Sequence, residues 1–214
     1  MTDIHISRID LPFAKRLFDI FFSLFLLILT LPFVIFLFLW IGIEFLFMPS
    51  ARGPLFYREV RVSRGREIEF YKFRIFKLSA LKKAKQKNGV IHTKPLEQKK
   101  ENLTGYGRFL KQVYMDELPQ LWLVLKGDMT LVGPRPTNTE NSKRMKLEGD
   151  YTKERMWCGI TGPFQAEKGK RLNQRVVDEN YINFVATRGG FSVLFKDIKI
   201  LIRTIKTVFE AKGI

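Results

Sequence analysis

The chain holds one cysteine, Cys158, and two histidines, His5 and His92. A lone cysteine makes no internal disulfide, which excludes a stapled secreted scaffold and favours a reducing compartment. The histidines lie far apart with no cysteine beside them, so a zinc site built on them is not expected. Acidic residues are scarce: 21 Asp+Glu stand against 37 Lys+Arg, leaving a net charge of +16. No internal repeat of fixed period is visible. The 214 residues read as one domain's worth of chain with enough length to bury a core, rather than as a large multidomain enzyme. A hydrophobic fraction of 46% with 20 Phe excludes an intrinsically disordered polymer.

What is abundant is concentrated. Between Asp19 and Glu44 run 24 uncharged residues, Ile20 to Ile43. At ~1.5 Å per residue they would make a helix of about 36 Å, enough to cross a hydrocarbon layer of ~30 Å. The segment reads as membrane-embedded and retained, because Phe45, Leu46, Phe47 and Met48 follow it where a signal peptide would carry a small-residue cleavage site. Both flanks are basic: Arg8, Lys15 and Arg16 before it, Arg52, Arg58, Arg61, Arg64 and Arg66 after it. Charge therefore does not orient it as a span. Pro32 in its middle removes one backbone hydrogen bond, and the Thr30 hydroxyl is close enough to satisfy a freed carbonyl. Two readings follow, a single proline-kinked span or a re-entrant helix that bends at Pro32 and returns to the same face. The symmetric flanks favour the second.

Past Phe47 the chain reads as a cytoplasmic domain that hugs the membrane. Leu55–Val62 and Glu67–Phe73 are β-rich runs around Ser63-Arg64-Gly65-Arg66, which predicts a hairpin turned at the glycine. Residues 77–102, rich in Lys, Gln and Glu, read as a helix with a solvated face or as a loop. Leu118, Leu121, Trp122 and Leu125 recur at helical spacing, Pro119 is tolerable in a first turn and Gly127 supplies a stop, so a helix is expected from about Asp116. In the last segment Leu194, Ile198, Leu201, Ile205 and Val208 line one helical face, and Lys196, Lys199, Arg203 and Lys206 the other. Such a helix either packs on a core or lies in the headgroup plane with its cations toward anionic lipid.

The chemistry should lie between Gly105 and Gly162. Asp116 and Glu117 sit side by side at the expected helix start, where an N-cap and a first-turn acid would also be found. About 100° apart on a helix, their side chains are expected to point at different atoms and to divide the work. Further on, Pro134 and Pro136 clamp Arg135 on an extended loop, and a rigid guanidinium suits bidentate phosphate binding.

Lys15-Arg-Leu-Phe-Asp19, Gly53-Pro-Leu-Phe-Tyr-Arg58, Tyr71-Lys-Phe-Arg74, Asp116-Glu-Leu-Pro-Gln-Leu121, Lys126-Gly-Asp-Met129, Val132-Gly-Pro-Arg-Pro136, Gly159-Ile-Thr-Gly162 and Asp197-Ile-Lys199 resemble, in this order, the bacterial sugar transferase family. Its members of this kind are the small monotopic phosphoglycosyl transferases. The resemblance implies transfer of a sugar 1-phosphate from a nucleotide sugar, usually UDP-linked, to polyprenyl phosphate with release of a nucleoside monophosphate. It implies an Asp116–Glu117 dyad with Mg²⁺, with Asp116 as nucleophile and Glu117 as metal ligand or proton acceptor. Arg135, Lys111, Arg74, Lys72, Arg58, Thr161 and Gln165 are the substrate-binding residues it implies, and Pro32 the helix break.

The implied fold is α+β, mostly helical with a short β-hairpin, an N-terminal re-entrant membrane helix and amphipathic interfacial helices. Residues 1–48 would be the membrane-embedded part and 49–214 the cytoplasmic catalytic domain. Its place would be the bacterial inner membrane, its partners nucleotide sugar, polyprenyl phosphate and anionic headgroups; a homo-oligomer is left open. The chain departs from the family pattern at Leu31-Pro32, where Ser-Pro is usual, and at Lys111, where arginine is. It departs again at Trp157-Cys158 and Pro163-Phe164, around the Gly-Ile-Thr-Gly motif. A non-enzymatic polybasic anchor or scaffold is the alternative, but it would not need Asp-Glu and Pro-Arg-Pro together. A nucleic-acid binder is not expected, since many of the aromatics lie in the apolar segment and not among the basic residues.

Overall fold

A computed structural model of the chain describes residues 7–88, 93–167 and 169–210; His5 and His92 lie outside the described residues. The chain opens with α1 (Phe13–Leu29) and α2 (Leu31–Phe47), then β1 (Phe56–Ser63) and β2 (Arg66–Phe73). Helices α3 (Leu78–Asn88), α4 (Thr93–Glu97), α5 (Gly105–Gln112) and α6 (Gln120–Lys126) follow. Then come β3 (Thr130–Val132), β4 (Thr137–Asn138), α7 (Thr139–Leu147), α8 (Thr152–Arg155), β5 (Gly159–Thr161) and α9 (Pro163–Ala166). Helices α10 (Gln174–Thr187) and α11 (Gly190–Phe209) end the described chain.

Two compact units are interleaved along the sequence, so their boundary does not fall at residue 48. One takes the chain up to Phe25, Glu59–Phe70 and everything from Gln120; the other takes Leu26–Arg58 and Tyr71–Pro119.

In the first unit, α1 is inverted relative to an ordinary surface helix. Lys15, Asp19 and Ser23, at i, i+4 and i+8, are fully buried, while Phe13 (80% exposed), Leu17, Phe21 and Phe25 face outward. The two charges of the buried stripe are satisfied, while the Ser23 hydroxyl has no hydrogen-bond partner among the described residues: Lys15 Nζ lies 2.6 Å from Asp197 Oδ2 and donates to the Val132 carbonyl at 3.0 Å. Tyr181 Oη donates to Asp197 Oδ1 at 2.6 Å and to the Val132 carbonyl at 3.1 Å, and Asp19 accepts from the Thr130 hydroxyl. A buried ion pair survives only with its remaining lone pairs and protons used, and these bonds use them. They tie α1, α10 and α11 to β3, the strand that leads into Arg135.

Strand β3 pairs in parallel with β5, Thr130 opposite Gly159 and Val132 opposite Thr161. The two backbones approach so closely that a Cβ on Gly159 would fall on Gly133 N and one on Gly162 on Gly133 O, so only glycine fits at both. Helix α11 corrects the sequence reading of its faces. The buried stripe is Val193, Asp197 and Ile200, whereas Phe191 (75% exposed), Phe195, Ile202 and Ile205 are exposed. The helix is rotated because Asp197 is drawn inward by Lys15 and Tyr181. The hairpin turns at Arg64 and Gly65, both left-handed (φ 51° and 71°) as a tight two-residue turn demands. β4 extends it to an antiparallel three-strand sheet in the order β2-β1-β4, with Arg61 opposite Asn138.

In the second unit, α2 presents Leu37, Ile41 and Glu44 to a core of Phe73, Ile75, Phe76, Leu103, Tyr106 and Leu110. Its other sides leave Leu31, Ile35, Phe36, Leu39, Ile43 and Phe47 exposed. Glu44, the first charge after the apolar run, is buried but capped: both carboxylate oxygens accept from the open N–H groups of α5, Gly105 N at 2.6 Å and Tyr106 N at 2.8 Å.

No single described helix is long and apolar enough to cross a membrane, but α1 and α2 pass that test together, bent by 51°. The break is at Thr30, whose hydroxyl donates to the Leu26 carbonyl at 2.7 Å, and Pro32 occupies the first turn of α2, where its missing N–H leaves no gap. Within residues 77–102 the described parts form α3, α4 and a 3₁₀ turn at Lys100–Asn102; residues 89–92 lie outside the described residues.

Candidate active site

The expected helix start at Asp116 is corrected by the structure. α6 begins at Gln120, and Met115–Glu117 form a separate 3₁₀ turn ahead of it. Pro119 offers no N–H to an α-helix extended backwards, so the chain tightens into a 3₁₀ turn instead. Trp122, expected on the inner face, is 61% exposed, while Leu121, Leu123 and Val124 are buried.

Asp116 is only 8% exposed. Lys72 on β2 reaches both acids, its Nζ 2.7 Å from Glu117 Oε1 and 3.9 Å from Asp116 Oδ2. The neighbours therefore converge on one cation and do not point at separate atoms, which corrects the expectation drawn from α-helical spacing. Burial pushes the Asp116 carboxyl up to about 6; Lys72 pulls it down, and the negative charges of Glu117 and Glu97 add to the rise. A carboxylate held this way is poorly solvated and correspondingly reactive once ionised.

Mg²⁺ in phosphate-handling sites takes one or two protein carboxylates and completes its shell with water and substrate oxygens. Two carboxylates already sharing the Lys72 ammonium fit that donor set. Among the described residues no group of three or more His, Cys, Asp or Glu could close a cage around a metal. The pair would thus supply part of a shell whose remainder comes from the ligand.

The other expected residues of this unit fall into two classes. Arg58 stacks on the Tyr71 ring, 5.3 Å from its centroid, and lines a cavity of ≈ 520 Å³ together with Leu55, Phe56, Leu78 and Leu81. Arg74 is fully buried, and its guanidinium donates to the carbonyls of Ala51 (2.6 Å), Pro54 (2.6 Å) and Phe76, which makes it a brace for the segment after α2. Lys111 donates to the Glu97 carbonyl at 2.8 Å, at the end of α4.

Arg135 belongs to the first unit. It is half-buried between the buried Pro134 and Pro136, on the loop leaving β3, and its Nη1 donates to the Ile160 carbonyl at 3.4 Å. Thr161 shares a 2.8 Å hydrogen bond with Thr204 of α11. The Gln165 Oε1 atom is buried and accepts no hydrogen bond among the described residues.

Sequence reasoning passed over Tyr114, Glu97 and Tyr181, and although it quoted Lys15 and Asp197 in separate motifs it did not join them into the Lys15–Asp197–Tyr181 brace. The two ends of that brace are 182 positions apart, so no local pattern could link them.

A family model described as Bacterial sugar transferase matches residues 11–211. The chain belongs to that family. It is 34% identical over 202 residues to the undecaprenyl-phosphate galactose phosphotransferase of Salmonella typhimurium, covering 89% of this chain and 41% of that one. The UDP-galactose-lipid carrier transferase of Erwinia amylovora is 31% identical over 229 residues, covering 98% of this chain and 42% of its own length. The UDP-glucose:undecaprenyl-phosphate glucose-1-phosphate transferase of Escherichia coli is 31% identical over 175 residues, 77% of this chain and 34% of that one. The bacterial sugar transferase described here thus spans about two fifths or less of the length of these relatives.

Proposed function

We propose that this chain is a phosphoglycosyl transferase that moves a sugar 1-phosphate from a UDP-sugar to polyprenyl phosphate. The observation that carries the reading is the buried Asp116, its carboxyl lifted to about 6 beside Glu117 and Lys72, in a chain of this family.

In the proposed sequence a carboxylate oxygen of Asp116 attacks the sugar-proximal phosphorus. An O–P bond forms while the P–O bond to the nucleoside-bearing phosphate breaks, its electron pair leaving on the nucleoside monophosphate. A phosphate oxygen of the polyprenyl phosphate then attacks the aspartyl phosphosugar, and Asp116 departs as the carboxylate. Lys72 is assigned to the phosphate oxygens on which charge accumulates; Arg135, in the other unit, is assigned to phosphate binding on its own account. Asp116 and Glu117 would hold Mg²⁺, which supplies further neutralisation of the pyrophosphate when bound. The test is a screen of UDP-sugars with polyprenyl phosphate that reads nucleoside monophosphate. Release with at least one donor is expected; no release with any donor would favour the scaffold reading.

The exposed apolar sides of α1, α2 and α11, and the exposed basic side chains of Lys199, Arg203 and Lys206 along α11, support a seat on the inner membrane with the catalytic part in the cytoplasm. We assign α1–α2 as a re-entrant pair. Cysteines introduced at positions 8 and 52 should both label from the cytoplasmic side only, and Pro32→Ala should expose position 8 to the outside by straightening the pair. Cys158 does not interfere, because it is fully buried and its thiol is pushed up to about 12. Labelling of position 8 from the outside in the unaltered helix would overturn the re-entrant assignment.

A further inference from the structure

The two prolines beside Arg135 also strip its loop of backbone donors. Gly133, Pro134, Arg135 and Pro136 join β3 to β4, and neither proline carries an N–H, so the loop has to be fixed largely through its carbonyls. On the β3 side the backbone does this: Gly133 N donates to the Thr161 carbonyl at 2.9 Å, and the Pro134 carbonyl accepts from Gly159 N at 3.0 Å. On the far side of Arg135 a side chain does it. Arg61 of β1 donates from Nη1 to the Pro136 carbonyl at 2.9 Å. The ladder beyond is short, since β4 has two residues and pairs with β1 at Arg61–Asn138 and Val62–Thr137. With so few backbone bonds there, the side-chain bond carries much of the anchorage.

Arg61 is itself held from two more directions. Its Nε donates to Glu59 Oε1 at 2.9 Å, Nη2 donates to the same oxygen, and the guanidinium lies 5.2 Å from the centroid of the Phe70 ring. Glu59 and Arg61 are two positions apart on a strand and so share one face. Their side chains are 21% and 24% exposed, partly shielded from the water that weakens a surface pair. Divided between a carboxylate and one carbonyl of the loop, this guanidinium is a fixed support and not a solvated charge. The reaction scheme gives it no role.

Resting on the assignment of Arg135 to phosphate binding, we propose that Arg61, oriented by Glu59, is a positioning residue that holds the Arg135 loop from its β4 end. A guanidinium pairs two phosphate oxygens when its backbone is fixed on both sides; with the Pro136 carbonyl released, the fork samples more directions and the paired geometry is lost. Displacements of this size, made away from the reacting atoms, still cost turnover.

The experiment is a double-mutant cycle in the full chain, reconstituted in lipid, reading nucleoside monophosphate release with a UDP-sugar that the wild type turns over. Arg61→Met keeps the unbranched stem beside Phe70 and removes the donors. It is made in the wild type and in Arg135→Lys, with thermal unfolding followed for all four proteins. The expected result is a fall in kcat of about 5- to 20-fold in the first background and less than twofold in the second, where no fork remains to be misplaced. Any lowering of the midpoint should be the same in both. Glu59→Gln, which touches neither the loop nor Arg135, should give a smaller loss of about threefold that also vanishes in Arg135→Lys, and it carries the cycle alone if Arg61→Met does not fold. Wild-type kcat in the single variant overturns the proposal. So does a loss by the same factor in both backgrounds, since Arg61 would then serve the fold and not Arg135. A wild type inactive with every UDP-sugar overturns the underlying function, and full turnover in Arg135→Lys overturns the phosphate assignment; each removes this role too, and both are read with Arg61 and Glu59 intact.

Discussion

Asp116→Asn is expected to give a folded protein whose release of nucleoside monophosphate is lower by about 10⁴-fold or more, and which is more stable than wild type at pH 7.5. The activity loss follows from removing the nucleophilic charge while keeping size and shape. The stability gain follows from the raised carboxyl. Between its ordinary value of 3.8 and about 6, the folded protein holds a proton that the unfolded chain has released. Stability therefore falls as pH rises through that window and stays low above it. A shift of about two pKa units corresponds to roughly 3 kcal/mol at neutral pH, in the metal-free protein. Asparagine cannot ionise and avoids this penalty. Thermal unfolding without Mg²⁺ should show the variant melting above wild type at pH 7.5 and close to it at pH 4. A variant no more stable at pH 7.5, or one keeping more than about 1% of the activity, would contradict the account.

Arg135→Lys is expected to lower kcat by about 10- to 100-fold although the charge is kept. Pro134 and Pro136 hold this side chain on a loop anchored by β3, and Val132 at the end of β3 is itself fixed by Lys15 and Tyr181. A planar fork delivered from a rigid loop can pair two phosphate oxygens; an ammonium on a flexible stem cannot. Losing one charge-assisted bond of about 1.5–3 kcal/mol gives the quoted range. Steady-state kinetics across UDP-sugar concentrations checks it, and wild-type turnover in the lysine variant would remove Arg135 from the phosphate site.

The parts of the fold that were legible in the sequence are those governed by local chemistry. Arg64-Gly65 lies between two β-rich runs, and a left-handed pair there closes a hairpin whatever else the chain does. The acids at 116 and 117 and the Pro-Arg-Pro clamp were visible as motifs. What was not legible depends on distant partners. The β3–β5 pair joins three-residue strands and is set by the close approach of Gly133, Gly159 and Gly162, which no periodicity announces. Helix α11 turned away from its expected face because a single aspartate at 197 is bonded to Lys15 and Tyr181. The dyad sits in a 3₁₀ turn because Pro119 interrupts the backbone hydrogen bonding that helical spacing alone would have extended. Lys15, Asp19 and Ser23 could have been read as the buried stripe of an inverted helix, since their spacing of four places them on one face.

The central claim is that Asp116 becomes covalently linked to the phosphosugar. The direct measurement is a single-turnover incubation of the wild-type protein with an accepted UDP-sugar and Mg²⁺, with polyprenyl phosphate left out, followed by mass analysis of the peptide containing Asp116. The account predicts nucleoside monophosphate at up to one equivalent per enzyme and a phosphosugar adduct on Asp116, discharged when polyprenyl phosphate is added. Monophosphate that appears only after the lipid is added, with no adduct trapped, would contradict it and reduce Asp116 to a metal ligand in a direct transfer.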